Sequence, residues 1–125
     1  MTSLIIKRGE IWLVNLEPTV GAEMRKIRPV VVVSSNQVGA LPIKLVAPLT
    51  EWKDYLVNNV WHVKVMPTKV NGLRKPSAVD ALQLRGVDQQ RFVQKLGAAS
   101  PTVMRSIVVA IAAVIEHDSA LKGGD

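Results

Sequence analysis

The chain has 125 residues, which is enough for one compact domain with a hydrophobic core and too few for two. Hydrophobic residues make up 48% of it, so disorder is not expected, and the lack of cysteine excludes disulfides, thiol nucleophiles and thiolate metal sites. The 16 lysines and arginines outnumber the 10 aspartates and glutamates, and the formal net charge of +6 makes a polyanion such as nucleic acid the first partner to consider.

Neither end of the sequence predicts a membrane segment. The apolar stretch within residues 1–8 is too short for the apolar region of a secretory signal. The apolar stretch near the C-terminus contains Arg105 and Ser106 and is too short to cross a bilayer. We therefore expect a cytosolic protein with no membrane association, folded as a single domain over residues 1–125 with its core at about 7–117.

The chain begins with a predicted strand and a predicted loop. Residues 11–16 are rich in aromatic and branched side chains and predict a strand. Residues 17–26 contain Pro18 and Gly21 and predict a loop. This loop is long for a hairpin connection, and long loops inside compact domains are often functional.

Four consecutive valines follow directly after an arginine and a proline. Branched side chains without alternation suit a strand that is buried on both faces, so residues 27–35 are predicted to be such a strand. Pro29 restricts the residue before it to extended geometry, which would hold Arg28 at the mouth of a rigid strand. The plainer alternative is that Arg28 is an ordinary surface arginine at the end of a loop.

Two further strands are predicted in the middle of the chain. Residues 36–42 predict a turn, residues 43–49 predict a second buried strand, and residues 51–59 are polar and irregular. Alternation over residues 60–65 predicts a strand with one face in the core and with His62 on the other face.

A basic loop and an interrupted strand come next. Residues 67–76 predict a loop that contains Lys69, Arg74 and Lys75. Residues 77–85 predict a strand that is broken near its middle.

The last part of the chain predicts helices. Residues 88–96, with an aspartate at the capping position, predict a short helix that Gly97 ends. Ser100 and Pro101 predict the start of a longer helix, whose apolar residues recur at helical spacing as far as His117. Strands followed by helices predict an α+β, mainly β, domain of the small-barrel type with a C-terminal helix packed on it.

Several kinds of catalytic site are absent from the sequence. It contains neither of the glycine-rich motifs that cradle phosphates. His62 and His117 lie in different predicted elements, and no cluster has metal-ligand spacing, so we expect no metal and no cofactor. We interpret each histidine as structural or exposed rather than catalytic.

The remaining candidates, Arg28, Thr50, Glu23 and Ser77, suit phosphate chemistry. An RNA 2′-hydroxyl can attack its own phosphodiester without a metal if charge on the transition state is stabilised. A fixed guanidinium binds phosphate through two parallel hydrogen bonds and stays charged, and a threonine hydroxyl can donate to a phosphate oxygen. Glu23 would accept a proton if its loop folds back over Arg28, and it is otherwise an ordinary loop carboxylate.

Five segments in this order and spacing resemble the MazF/PemK family of toxin endoribonucleases, and the resemblance covers roughly residues 7–115. The segments are RGEIWLV (8–14), LEPTVGAE (16–23), RPVVV (28–32), VAPLT (46–50), and Ser77 followed by QLRGVD (83–88).

The resemblance implies an SH3-like β-barrel with helices, a homodimer, and sequence-specific, metal-independent cleavage of single-stranded RNA. It also implies an antitoxin protein whose disordered tail blocks the active groove. By this resemblance, Arg28 and Thr50 are the catalytic pair. Glu23 matches the glutamate of the family's loop and looks like a residue that binds substrate or shapes the site, while its own chemistry keeps it a candidate catalytic residue. Ser77 and Gln83 look like residues that bind RNA or shape the site.

Two departures from the family pattern affect the predicted site. Leu82 occupies a position that is acidic in many members, so a mechanism using that carboxylate as base is not available, and Asp80, two residues earlier, is the candidate substitute. Many members also have glycine shortly before the Arg-Pro pair. Here Arg25 and Lys26 precede Ile27, which predicts a stiffer and more basic loop that either strengthens contact with the RNA backbone or changes the cleaved sequence.

Two other functions on the same fold remain open at this point. The related CcdB-like toxins bind DNA gyrase without cleavage, and a degenerate relative would bind only RNA or its antitoxin. The departure at Leu82 keeps the gyrase-binding alternative open. The pair Arg28 and Thr50 favours the enzyme, because a gyrase binder has no chemical need for it.

Overall fold

A computed structural model describes residues 5–117 of the chain, as seven strands followed by one helix. The strands are β1 (Glu10–Asn15), β2 (Ile27–Val32), β3 (Ile43–Glu51), β4 (His62–Val65), β5 (Ser77–Asp80), β6 (Arg85–Asp88) and β7 (Phe92–Ala98), and the helix is α1 (Pro101–Val114). Four short 3₁₀ helices lie between strands, at Asn36–Val38, Asp54–Asn58, Ala81–Gln83 and Gln89–Arg91. The predicted α+β, mainly β, fold with a C-terminal helix is therefore confirmed.

All strand pairs in the sheet are antiparallel, in the order β4-β5-β3-β2-β1-β7, with β6 also pairing with β3. Strands β4 and β7 stand at the two ends and do not pair with each other within residues 5–117. The sheet is thus open in the described part of the chain, where the sequence predicted a small barrel.

Strand β3 is shared between several partners. One of its edges pairs with β2, from Val46 to Pro48. Its other edge pairs first with β6 and then with β5, and the 3₁₀ turn Ala81–Gln83 lies between those two strands. This turn is the predicted interruption in the strand over 77–85. Asp80 caps it by accepting a hydrogen bond from the backbone N–H of Leu82 at 3.0 Å.

The core consists of two apolar clusters on opposite faces of the sheet. Because successive side chains of a strand point to opposite faces, Val30 and Val32 enter one cluster and Val31 enters the other. The valines of β2 are buried on both faces as predicted, which explains why they do not alternate with polar residues. Helix α1 covers the second cluster through Met104 and Ile107.

The predicted short helix over residues 88–96 is wrong beyond its first turn. Asp88 is indeed a cap, since its carboxylate accepts from the Gln90 N–H at 2.8 Å, but only the 3₁₀ turn Gln89–Arg91 follows. The next residues form β7 and pair with β1, and Phe92 packs edge-on against Trp12 with ring centroids 5.6 Å apart. The free edge of β1 needs hydrogen-bond partners, and this long-range demand overrides the local helical pattern.

Helix α1 begins as the sequence predicts. The Ser100 hydroxyl accepts from the Val103 N–H at 3.1 Å, and proline occupies the first turn. The helix ends at Val114, three residues before the predicted end, because Glu116 adopts a left-handed conformation with φ of 60°. Its N–H and that of His117 then bond back to the last helical carbonyls, as in a Schellman motif.

Helix α1 is also the longest helix within residues 5–117. Neither it nor any other helix in that range combines the length and the apolar character that crossing a bilayer requires.

Candidate active site

The candidate site lies where β2 and β3 separate. Their ladder ends at Val30 and Pro48, and proline has no N–H to extend it. Beyond this point β2 stays paired with β1, and β3 pairs with β5. Continuing the register by two residues sets Arg28 opposite Thr50, and alternation puts both on the same face of the sheet. A cavity of about 660 Å³ opens here, and both residues line it.

Arg28 is half-buried and fixed by its own loop. Its Nε donates to the backbone oxygen of Arg25 at 2.9 Å. This contact leaves the two terminal nitrogens of the guanidinium to bind an anion through parallel hydrogen bonds. Ser77 lines the same cavity, and its hydroxyl donates to the backbone oxygen of Lys75 at 2.9 Å.

The cavity is positively charged on balance. Arg28, Arg74 and Lys75 line it against one carboxylate, Glu51. That carboxylate is already shared, because Lys53 lies 3.6 Å and Lys75 lies 3.8 Å from its Oε2. Guanidinium groups and hydroxyls around a positively charged cavity are the chemistry of a phosphate-binding site.

A second cavity of about 480 Å³ lies beside the first, since Pro48 lines one and Leu49 lines the other. Glu23 and Gln83 line this second cavity, with mostly apolar neighbours. Glu23 therefore does not line the cavity of Arg28. Its carboxylate accepts from the Val20 N–H at 2.7 Å and so closes a turn within its own loop. The other lining residues are Leu16, Ala22, Met24, Leu82, Leu84 and Arg85.

Gln83 and Asp80 connect the loop to the sheet. The side-chain oxygen of Gln83 accepts from the Met24 N–H at 2.6 Å, and its amide nitrogen donates to Asp80 at 3.3 Å. The same Asp80 oxygen lies 3.6 Å from Nε2 of His62. Asp80 is only 6% exposed and lines neither of the two cavities. Its carboxylate is occupied by protein groups, while Leu82, at the position that is acidic in many family members, is 60% exposed.

The β1–β2 loop, residues 16–26, is held mainly by Glu17. Its carboxylate accepts from the Lys26 N–H at 3.2 Å and from the Thr19 hydroxyl at 3.3 Å, and Arg25 lies 3.6 Å away. The Lys26 hydrogen bond is the largest of the effects that hold the pKa of Glu17 below its ordinary value, followed in that direction by the Thr19 hydroxyl and the Arg25 charge. Glu17 is thus an ionised carboxylate that fixes the loop.

Lys26 and Arg25 lie exposed at the end of this loop. Lys26 has φ of 68°, in the left-handed region where glycine is usual, so the segment just before Arg28 has a backbone that a glycine would adopt without strain. Two guanidinium groups that the sequence did not single out support the base of the loop. Arg85 donates to the Leu16 carbonyl, and Arg91 donates to the carbonyls of Asn15 and Glu17.

Sequence reasoning also missed several residues that line the cavity of Arg28 and Thr50, which we call the main cavity. The basic character of residues 67–76 was visible, but nothing local showed that Arg74 and Lys75 would line the same cavity as Arg28. Gln94 of β7 lines the cavity too, and it was hidden inside the incorrectly predicted helix. Only the long-range pairing of β7 with β1 brings it there.

The sequence profile of one known family, described as the PemK-like, MazF-like toxin of type II toxin–antitoxin systems, matches residues 7–115. Among known proteins, the endoribonuclease MazF9 of Mycobacterium tuberculosis is 32% identical over 108 residues, which cover 77% of this chain and 84% of MazF9. The endoribonuclease EndoA of Bacillus subtilis is 32% identical over 95 residues, which cover 74% of this chain and 79% of EndoA. The chain therefore belongs to the PemK-like, MazF-like toxin family.

Solved structures agree on the fold. The crystal structure of MazF from Deinococcus radiodurans superposes with a TM-score of 0.76 at 20% identity, covering 91% of this chain and 99% of that one. An endoribonuclease from a mycobacterial species, solved in complex with its cognate antitoxin, gives a TM-score of 0.71 at 19% identity, covering 89% and 95%. At these identities the likeness establishes the fold alone.

Proposed function

We propose that this protein is the toxin of a toxin–antitoxin pair and that it cleaves single-stranded RNA at specific sequences without a metal. The observation that carries the proposal is the cavity at the separation of β2 and β3, where Arg28 and Thr50 line the same wall of a basic site. The named relatives are endoribonucleases, so a gyrase-binding or purely RNA-binding function is not favoured.

The proposed reaction is an internal transesterification. The 2′-hydroxyl of one nucleotide attacks the adjacent phosphorus, the bond to the 5′-oxygen of the next nucleotide breaks, and a 2′,3′-cyclic phosphate and a free 5′-hydroxyl result. Arg28 binds the non-bridging phosphate oxygens with its terminal nitrogens and stabilises the charge of the transition state. Thr50 donates a hydrogen bond to the same phosphate. The proton leaves the 2′-hydroxyl and is returned to the departing 5′-oxygen.

In the proposed reaction, Glu23 transfers a proton and the other predicted site residues act in RNA binding. In the proposal Glu23 is the proton acceptor, and RNA entering between the two adjacent cavities releases it from the Val20 N–H. Arg25 and Lys26 bind the RNA backbone from the exposed end of the loop. Ser77, Gln83 and Asp80 act on RNA binding by fixing the two loops that flank the site.

The partners and location follow from the same proposal. A mycobacterial relative was solved with its cognate antitoxin, and a basic cavity suits a protein partner that presents acidic side chains. The outer face of α1 leaves Val108 and Val109 about half exposed, which supports a homodimer that covers them. We propose that the antitoxin and the second copy of this chain both bind it in the cytosol.

The test is cleavage of a long single-stranded RNA in the presence of EDTA. The wild type should give discrete fragments, and Arg28→Ala should lower the rate at least about 100-fold, because it removes the main stabiliser of transition-state charge. Arg28→Lys keeps the positive charge but cannot form two parallel hydrogen bonds to the phosphate, so it should retain only part of the activity. Thr50→Val, which keeps the shape, should be slower than the wild type.

Intact RNA with the wild type under all salt conditions would count against the proposal. Equal fragment patterns and rates from the wild type and Arg28→Ala would remove Arg28 from the catalytic machinery. Thermal unfolding of each variant checks that lost activity is not lost fold.

A further inference from the structure

We infer that the part of the main cavity lined by Arg74 and Gln94 is a subsite for the nucleotide next to the scissile phosphate, where Arg74 binds its phosphate and the Gln94 amide hydrogen-bonds to its base. The inference rests on the proposed RNA-cleaving function and deepens it. Both side chains line the cavity together with Arg28 and Thr50, and they come from the basic loop, residues 66–76, and from β7.

The basic loop is closed around one buried side chain. Asn71 is 4% exposed, and its amide oxygen accepts from the N–H groups of Thr68 and Leu73, both at 3.0 Å. Its amide nitrogen donates to the Met66 carbonyl at 2.9 Å. An asparagine whose oxygen and nitrogen are both satisfied by the surrounding backbone fixes the loop shape before any ligand arrives. Arg74 therefore projects from a preformed support.

The loop is also docked on β7 at close range. A Cβ on Gly72 would lie 2.2 Å from the Leu96 carbonyl oxygen, and a Cβ on Gly97 would lie 2.1 Å from the Val70 carbonyl oxygen. Only glycine permits these two approaches of backbone to backbone. The contact holds the loop beside the strand that carries Gln94, so the two proposed binding groups keep a fixed relation.

The Arg74 guanidinium and the Gln94 amide are both available to bind a ligand. Within residues 5–117 Arg74 takes part in no ion pair, whereas Lys75 shares Glu51 with Lys53. The Gln94 side chain likewise makes no hydrogen bond to the described part of the protein. A guanidinium matches the oxygens of a phosphate, and a primary amide offers one donor edge and one acceptor edge to an unpaired base.

The experiment compares steady-state cleavage of a short RNA that contains the mapped cleavage site, using Arg74→Ala, Arg74→Lys and Lys69→Ala. Lys69 is the matched control, because it is an exposed cation of the same loop that does not line the cavity. Arg74→Ala should raise KM about tenfold with little change in kcat, as expected when a charge-assisted phosphate contact is lost. The slope of log affinity against log salt should fall by about 0.7, the value for one phosphate of a single strand.

Arg74→Lys should lie between the wild type and Arg74→Ala, and Lys69→Ala should change KM less than about twofold. Gln94→Ala should relax the base preference at one position beside the cut, read by sequencing the fragment ends of a long RNA. An equal rise in KM for Arg74→Ala and Lys69→Ala would overturn the subsite, and so would an unchanged base preference in Gln94→Ala. Either result would leave the proposed endoribonuclease activity in place. A wild type that cleaves no RNA would overturn both.

Discussion

Two loops flank the candidate site, and they are held by different kinds of interaction. The β1–β2 loop is fixed by charged groups near the surface, with Glu17 accepting from the Lys26 N–H and arginines donating to its carbonyls. The basic loop is fixed by the buried Asn71 and by two glycines that pack backbone against backbone. Screening by salt and protonation by acid weaken the first kind of support and leave the second nearly unchanged.

Because the two loops are held by different interactions, we expect them to have different roles in binding RNA. A loop held by exposed charges can exchange its contacts when a polyanion arrives, as Glu23 must do in the proposed mechanism. A loop held by packing presents the same surface before and after binding. We therefore expect the β1–β2 loop to adjust to RNA and the basic loop to position it.

The largest effect should come from adding a methyl group at Gly72. Gly72 and Gly21 both have left-handed backbones, with φ of 71° and 59°, but only Gly72 has a backbone oxygen in the way of a Cβ. Gly72→Ala should lower the free energy of unfolding by about 4 kcal/mol, from backbone strain and overpacking together. Gly21→Ala, where a Cβ meets open space, should cost only about 1 kcal/mol. Urea unfolding of the pair measures the difference, and equal costs would contradict the close docking of the basic loop.

Removing the amide that closes each loop should give the next largest contrast. Asn71→Ala removes a buried amide and leaves the N–H groups of Thr68 and Leu73 without their acceptor, and it should cost about 2 to 3 kcal/mol in the free energy of unfolding. Gln83→Ala removes the acceptor of the Met24 N–H at a more open position and should cost about 1 kcal/mol. Chemical unfolding of both variants decides the order, and a larger loss for Gln83→Ala would reverse our view of which loop is the more rigid.

Of the two loops, the β1–β2 loop should be the one that responds to pH, because it contains Glu17. The lowered pKa of Glu17 means that its ionised form stabilises the fold above the ordinary value of 4.5 and that this contribution is lost as the pH falls through the lowered value. Glu17→Gln should therefore reduce the melting temperature at neutral pH and have little effect in strong acid. The chemical shift of the Lys26 amide should titrate with a midpoint below 4.5, and high salt should raise that midpoint. A midpoint at or above 4.5 would remove Glu17 as the support of the loop.

The smallest effect should follow from Lys26→Gly. Glycine relieves the left-handed strain of about 1 kcal/mol but makes the unfolded chain more flexible by a similar amount, so the free energy of unfolding should change by less than about 1 kcal/mol. Arg25→Gly is the matched variant, because Arg25 lacks a positive φ and gains no relief. It should be the less stable of the two in urea unfolding. The reverse order would show that the charge at position 26 matters more than its backbone.

Sequence reasoning reached the parts of this molecule that short-range patterns determine. The valine strand, the cap at Ser100, the break after Asp80 and the position of Arg28 before a proline all depend on residues within a few positions of each other. What it missed depends on distant partners. Residues 92–98 fit a helix or a strand equally well by their own pattern, and only the unpaired edge of β1 decides between them.

The same limit applies to the candidate site. The family resemblance supplied Arg28, Thr50 and Glu23, and the structure places the first two in one cavity and the third in the next. Whether each takes part in catalysis stays a prediction. The sequence offered no sign that Arg74 and Gln94 would line the same cavity, because that depends on how the basic loop docks on β7.

The pairing of β1 with β7 joins the first strand to the last strand, and it has a consequence for the order of events during synthesis. Leu13 lies opposite Gln94, so nearly the whole polypeptide must leave the ribosome before β1 receives its second neighbour. The basic loop rests on β7 and cannot dock earlier. The cavity therefore cannot be completed before β7 has emerged, and a nascent chain that stops after Arg91 should be inactive and should leave its basic loop open to proteases. A cell that makes this protein gains an interval in which the incomplete chain is harmless.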